Sequence, residues 1–176
     1  ISVNVNDNGE VLVRAPQKIK DREIDDFLKK HERWIKTKIQ SSRQKNEEFE
    51  KYKYTESEIR KLKKEARTKI LEKLNKWAPI LNVSYKKLRL SGAKKRWGSC
   101  SNRKTISLNW RLIFVPEEIL DYIIIHELTH LKHMNHSKNF WKHVEIHCPD
   151  YKKHRNWLKE NDYILRIEPT GQKVKD

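Results

Sequence analysis

Only two cysteines, Cys100 and Cys148, occur in the 176 residues. Two thiols make no disulfide framework, and a reducing cytoplasm is the default compartment. No run approaches the ~18 apolar residues of a membrane-spanning helix, and no signal peptide is visible. The first residues already alternate like a strand, as in a chain that has lost its start. Acidic residues are in deficit: 24 Asp and Glu stand against 40 Lys and Arg, a formal charge of +16. That excess points toward polyanions, nucleic acid first, with the solubility of a lysine-rich surface as the plainer alternative. The length suffices for one domain with a real core and a small appendage.

What the chain does have is His126-Glu127-Leu128-Thr129-His130, with Ile123-Ile124-Ile125 before it and Leu131 after it. On a helix, residues four apart share a face, so His126 and His130 stack one turn apart. Two imidazoles so placed reach one zinc ion at ~2.0–2.1 Å each. Glu127 need not bind the metal. It is placed to deprotonate a water held there, the general-base role in metalloproteases. A segment this apolar reads as a buried helix, where His and Glu are costly unless a metal compensates.

A catalytic zinc usually takes three protein ligands and leaves one position open. His133 shares the helix face but lies roughly 10 Å from His126, at a rise of about 1.5 Å per residue. His136 works if the helix stops first and the chain folds back. Asn135 offers that stop, because Asn tolerates the left-handed conformation, and Ser137 can then cap the next helix. The set His126, His130, His136 has the spacing of metzincin-type ligands, without the metzincin glycine. Glu145, on the following helix, is the alternative third ligand.

In chain order, Val3, Val5, Val11 and Val13 alternate around Asn6-Asp7-Asn8-Gly9, which predicts a β-hairpin. Ile24, Phe27, Leu28, His31, Trp34, Ile35 and Ile39 predict a helix of about five turns, capped at Asp21. Residues 41–54 read as a linker or an extension of that helix. Thr55-Glu56-Ser57-Glu58 is a capping box. It opens a long helix with an apolar stripe (Ile59, Leu62, Ala66, Ile70, Leu74, Trp77) and a basic face (Arg60, Lys61, Lys63, Lys64, Arg67, Lys73). Residues 87–91 and 105–110 read as an antiparallel strand pair. Between them, Trp97, Gly98 and Ser99 could form an edge that pairs with an extended peptide. Equally, Trp97 could anchor a hairpin while Gly98 marks a bulge. The metal helix is expected over about 116–133. His143 and His147 are interspersed in the helix after Ser137, and Tyr151 and His154 lie in a third, short one. Domains are expected at 1–54 (hairpin and helix), 55–168 (catalytic) and 169–176 (flexible tail).

From Arg96 onward several motifs occur in one order: Arg96-Trp97-Gly98-Ser99-Cys100, Leu108-Asn109-Trp110-Arg111-Leu112, His126-Glu127-Leu128-Thr129-His130-Leu131, Asn135-His136-Ser137 with Phe140-Trp141, and Pro149-Asp150-Tyr151. Together they resemble the YgjP-like metallopeptidase family, which is more distantly similar to SprT/Spartan-like and WLM zinc proteases. The resemblance covers nearly the whole chain. It implies an α+β, zincin-like fold: a small antiparallel sheet packed on the active-site helix, with an N-terminal β-hairpin and long helices. It implies zinc (Zn2+) on His126, His130 and His136, Glu127 as base, and a cytoplasmic protein. The SprT-like relatives cut proteins on DNA, which makes DNA-associated proteins a candidate substrate class. His143, Tyr151, His154 and Arg155 are candidates to stabilise the oxyanion. The expected partners are a peptide or protein substrate and, through the basic surface, nucleic acid, but no membrane. The rival reading is a nucleic-acid-binding module with a structural or vestigial zinc site. The intact Glu127 and the lack of an obvious fourth protein ligand weigh against it.

Overall fold

The computed structural model describes residues 1–6 and 8–170. The chain divides into two compact units, Ile1–Tyr52 and Lys53–Asp176. No helix among the described residues is long and apolar enough to cross a membrane.

The first unit holds strands β1 (Ser2–Val5) and β2 (Val11–Arg14) and helices α1 (Asp21–Lys30) and α2 (Glu32–Glu50). β1 and β2 pair antiparallel, Val3 opposite Val13 and Val5 opposite Val11. Their turn uses an Asx contact: Asn6 Oδ1 accepts from the N–H groups of Asn8 and Glu10 at 3.0 and 2.9 Å. Gly9 sits at φ +80°, a conformation that glycine adopts without cost. The single helix expected from residue 21 to 39 divides at His31. There the backbone N–H is shared between the Phe27 and Leu28 carbonyls, and ring Nδ1 contacts the Phe27 carbonyl at 2.8 Å. The second helix starts one residue later and absorbs most of the expected linker. The N-cap position of α1 is Lys20, not Asp21, which lies in the first turn.

The second unit contains α3 (Glu56–Ile80), β3 (Lys87–Ser91), β4 (Gly98–Cys100), β5 (Thr105–Asn109), α4 (Glu117–Thr129), α5 (Lys138–His147) and α6 (Tyr151–Glu160). The capping box forms: Glu58 N–H donates to Thr55 Oγ1 at 3.3 Å, and Thr55 N–H donates to Glu58 Oε2 at 2.7 Å. α4 is the centre. It packs against α3, β4, α5 and α6. Ile119, Leu120, Ile123, Ile124, Ile125 and Leu128 are all buried, so α4 is apolar almost all round, as a helix enclosed by other elements must be. Ile70 and Leu74 from α3, Ile106 and Leu108 from β5, and Phe140 and Val144 from α5 complete the core.

Two expectations change here. Lys73, assigned from the sequence to the exposed basic face, is buried at 8 % exposure. Its Nζ pairs with Glu117 and with Asp121 Oδ2 (3.0 Å), while Trp77 Nε1–H donates to Asp121 Oδ1 at 2.7 Å. A helix wheel cannot reveal this, because the carboxylates come from α4.

The sheet is mixed rather than antiparallel. Its order is β3-β5-β4, with β3 parallel and β4 antiparallel to β5. β4 has three residues, too few for alternation to be read, yet it takes the antiparallel place beside β5 through a tight turn. Lys104 adopts φ +59° in that turn, and Ser101 Oγ accepts from Thr105 N–H at 3.2 Å. The longer connection from β3 then leaves β3 parallel on the other side of β5. At the C-terminal end of the described residues, Thr170 N–H donates to the Tyr54 carbonyl at 2.8 Å. Residues 171–176, most of the expected tail, lie outside the described residues.

Candidate metal centre and substrate cleft

Helical periodicity alone stacks His126 and His130 on one side of α4. The helix ends at Thr129, earlier than residue 133, and tight turns follow: Leu131 N–H bonds to Leu128 O and Lys132 N–H to Thr129 O, both at 3.0 Å. Asn135 is not the left-handed stop expected of it. Among the described residues only Asn82, Lys104 and Gly9 have positive φ. The chain nevertheless folds back. Ser137 Oγ accepts from Phe140 N–H at 3.4 Å, caps α5 and brings His136 over α4.

One ligand nitrogen from each of His126, His130 and His136 then lies within 4.8 Å of the others. Nε2 of His126 and Nε2 of His136 are 3.1 Å apart. Three nitrogens around a tetrahedral ion at ~2.0–2.1 Å would stand about 3.3 Å from one another. The residues present therefore fit a shared metal ion. His130 Nδ1 lies 3.1 Å from the His133 carbonyl. A carbonyl only accepts, so Nδ1 carries the proton and Nε2 keeps its lone pair for a metal. His133 thus contributes its backbone, while its ring faces His143 at 5.7 Å. Glu145 is exposed and stands outside the histidine group.

Phe140 supports all three rings, with centroids 4.9, 4.6 and 4.7 Å from those of His126, His130 and His136. It is fully buried, so each imidazole rests on a fixed surface. Trp141 stacks on His136 at 5.5 Å, Tyr151 stacks on Trp141 at 5.2 Å, and the Arg155 guanidinium lies 5.2 Å from the Trp141 ring. In the sequence Phe140 and Trp141 stand out only as part of the motif set shared with the family, and it is the fold-back that brings them against the histidines.

Burial sets the electrostatics. The Glu127 carboxyl is 6 % exposed, and burial raises its pKa from 4.5 to about 8. For His126, burial first, and then the neighbouring His130, His136 and Arg155, lower the pKa from 6.5 to about 3, which keeps the ring neutral. Three buried polar side-chain atoms among the described residues have no hydrogen-bond partner, and two belong here: His126 Nδ1 and Glu127 Oε2. Unpartnered buried polar groups are costly and mark sites that await a partner. Burial also raises the Cys100 thiol to about 11, with Glu127 a smaller cause, so this thiol is a poor nucleophile.

These shifts predict a pH signature for the metal-free protein. The folded Glu127 carboxyl keeps its proton up to about 8, whereas an unfolded one releases it near 4.5. Its stabilising contribution is therefore complete below pH 4.5 and is lost as pH rises to about 8. His126 acts oppositely: its contribution is present above 6.5 and is lost as pH falls toward 3. In urea unfolding of chelator-treated protein, Glu127→Gln is expected to be more stable than wild type at pH 8 by on the order of a few kcal/mol. The difference should vanish near pH 4.5. Equal stability at both values would mean that Glu127 is not desolvated.

A cleft of about 240 Å³ opens over this centre, lined by Lys95, Arg96, Trp97, Gly98, Tyr122, Ile123, His126, Glu127 and Leu158. Gly98 is not a bulge, since β4 pairs residue for residue with β5. A Cβ at Gly98 would lie 2.6 Å from Glu127 Oε1, so only glycine lets β4 come this close to Glu127. The segment leading into β4 is pinned by buried Asn109, whose Nδ2 donates to the Ala93 and Arg96 carbonyls at 2.7 and 3.0 Å. Buried Arg111 holds the same segment through Gly92 O at 3.2 Å. Of the residues considered for the oxyanion, His143 packs on His133 and His147, away from the cleft. His154 Nδ1 lies 3.3 Å from Cys148 Sγ. Tyr122, one turn before His126 and overlooked in the sequence reading, lines the cleft instead; its spacing from His126 was the available signal.

Among solved structures, the metallopeptidase zymogen abylysin of Pyrococcus abyssi is 27% identical, with a TM-score of 0.47, over 57% of this chain and 99% of that one. The metallopeptidase zymogen jannalysin of Methanocaldococcus jannaschii is also 27% identical, with a TM-score of 0.43, over 51% of this chain and 95% of that one. No curated protein matches the chain. The family model for the YgjP-like metallopeptidase domain matches residues 1–62 and 50–161, almost the full length. With that coverage, the chain belongs to the YgjP-like metallopeptidase family.

Proposed function

We propose that this chain is a zinc-dependent peptide hydrolase, with His126, His130 and His136 as the metal ligands and Glu127 as the general base. The observation that carries the reading is the convergence of three histidine nitrogens within 4.8 Å beside a buried carboxylate with a free oxygen, on the floor of an open cleft. Zinc held there supplies a Lewis acid for the scissile carbonyl and lowers the pKa of water. Glu127 takes the proton of the attacking water and returns it to the leaving amine. Its raised pKa suits a group that must hold a proton midway through the cycle. β4 is an edge strand, and at the edge expected from Trp97, Gly98 and Ser99 its free side would offer the backbone groups of Gly98 and Cys100 to an extended substrate, those of Trp97 and Ser99 being turned to β5, where Asn109 N–H donates to the Trp97 carbonyl at 2.8 Å. Tyr122 lines the same cleft and joins Arg155 as a candidate to stabilise the oxyanion. Recruitment to DNA-associated proteins rests on the charge of +16 and on the exposed Arg60, Lys61, Lys63, Lys64 and Arg67 of α3.

Metal removal tests the core of this reading. Chelator-treated protein should no longer hydrolyse casein, and one equivalent of zinc should restore cleavage. Full activity at zero metal content would overturn it.

A further inference from the structure

We propose that the cleft continues into a cationic subsite that takes an acidic side chain of the substrate on the C-terminal side of the scissile bond. The proposal rests on the peptidase reading above and adds a substrate class to it. Beyond the cleft lies a recess of about 700 Å³. The two share Lys95, Trp97 and Leu158, so they are one continuous depression. Trp97 and Leu158 form its apolar wall. Lys95, Arg155 and Lys159 supply cations at its rim against one acid, Asp162. Lys94 also lines the recess but is paired with Glu168 at 2.9 Å. Lys95 and Lys159 are exposed, and neither makes an ion pair among the described residues. Free cations over an apolar wall suit an Asp or Glu side chain, whose methylenes pack while its carboxylate meets the ammonium groups. A nucleic-acid backbone would instead require a row of cations in an open groove.

The sheet sets the direction. β4 is at the edge, and Gly98 lies against Glu127, beside the reacting bond. A peptide added antiparallel to β4 runs opposite to the order Gly98, Ser99, Cys100. Its residues after the scissile bond therefore pass Trp97 and then Lys95. At about 3.3 Å per residue, the acid falls within the first three positions after the cut.

The test uses zinc-loaded full-length protein and quenched fluorescent peptides that differ only in those positions. Glu or Asp there should raise kcat/KM about fivefold over Ala, and more over Lys. The preference should shrink in 0.5 M salt, with the Debye length then at about 4 Å. In Lys95→Glu/Lys159→Glu the ratio of acidic to neutral peptide should fall to one or below. The same charge change at the far edge of the sheet, Lys86→Glu/Lys87→Glu, should preserve it. A binding arm separates this proposal from the peptidase reading: zinc-loaded Glu127→Gln should bind a labelled acidic peptide more tightly than its neutral analogue by fluorescence anisotropy. If no peptide is cleaved but that preference holds, the peptidase reading fails and the subsite stands. Equal binding of acidic and neutral peptides overturns the subsite. So does a single-stranded oligonucleotide that displaces the acidic peptide at lower concentration than the peptide itself.

Discussion

Glu127→Gln is expected to retain about one zinc per chain while lowering turnover of a peptide substrate by about two to four orders of magnitude, the size of a lost general base. The substitution keeps the shape of the side chain and its place beneath Gly98. Among the described residues it removes the only carboxylate in the cleft lining, the group there suited to move the proton from water to amine. Metal retention follows because the three converging nitrogens are unaltered. Metal analysis and kcat measured on the same preparations check both halves. Unchanged kcat would remove Glu127 from the mechanism. Joint loss of metal and activity would mean that Glu127 holds the site together rather than reacting in it.

His136→Ala should weaken zinc binding by more than about a hundredfold, because two remaining ligands cannot satisfy a catalytic zinc. His133→Ala should leave affinity within a fewfold of wild type. The contact that matters at residue 133 is its carbonyl, which orients the His130 ring at 3.1 Å and survives the change to alanine. Competition with a chromogenic chelator measures both variants. A large loss in His133→Ala with none in His136→Ala would reverse the ligand assignment. The pair separates the two histidines cleanly, since both lie in the same short return between α4 and α5.

How much of this was legible before the fold was known can be followed residue by residue. His126 and Glu127 lie in α4 and His130 is its C-cap residue, still in right-handed helical conformation (φ −62°, ψ −19°), so local periodicity sufficed to place them. The Thr55 capping box and the Ser137 cap are likewise contacts within four residues, and both formed as their sequences indicate. The return that delivers His136 was anticipated, although through Asn135 rather than the turns that follow Thr129. The expected pairing of residues 87–91 with 105–109 forms, but parallel, because a three-residue strand with no readable alternation, β4, takes the antiparallel place on the other side of β5. Lys73 looked solvated because its partners are supplied by α4, far along the chain.

The sequence by itself determined a buried helix that carries His126 and Glu127 and is capped by His130, each on a defined face, together with the capped starts of its neighbours. Those features depend on backbone geometry repeated every 3.6 residues. Tertiary structure alone decided that Phe140 would underlie all three imidazoles, that β4 would reach Glu127 only over the bare backbone of Gly98, and that Trp97 and Leu158 would join the cleft to a cationic recess. Each of these depends on side chains from separate elements meeting in a packed core, and local pattern carries no record of which surfaces will face one another.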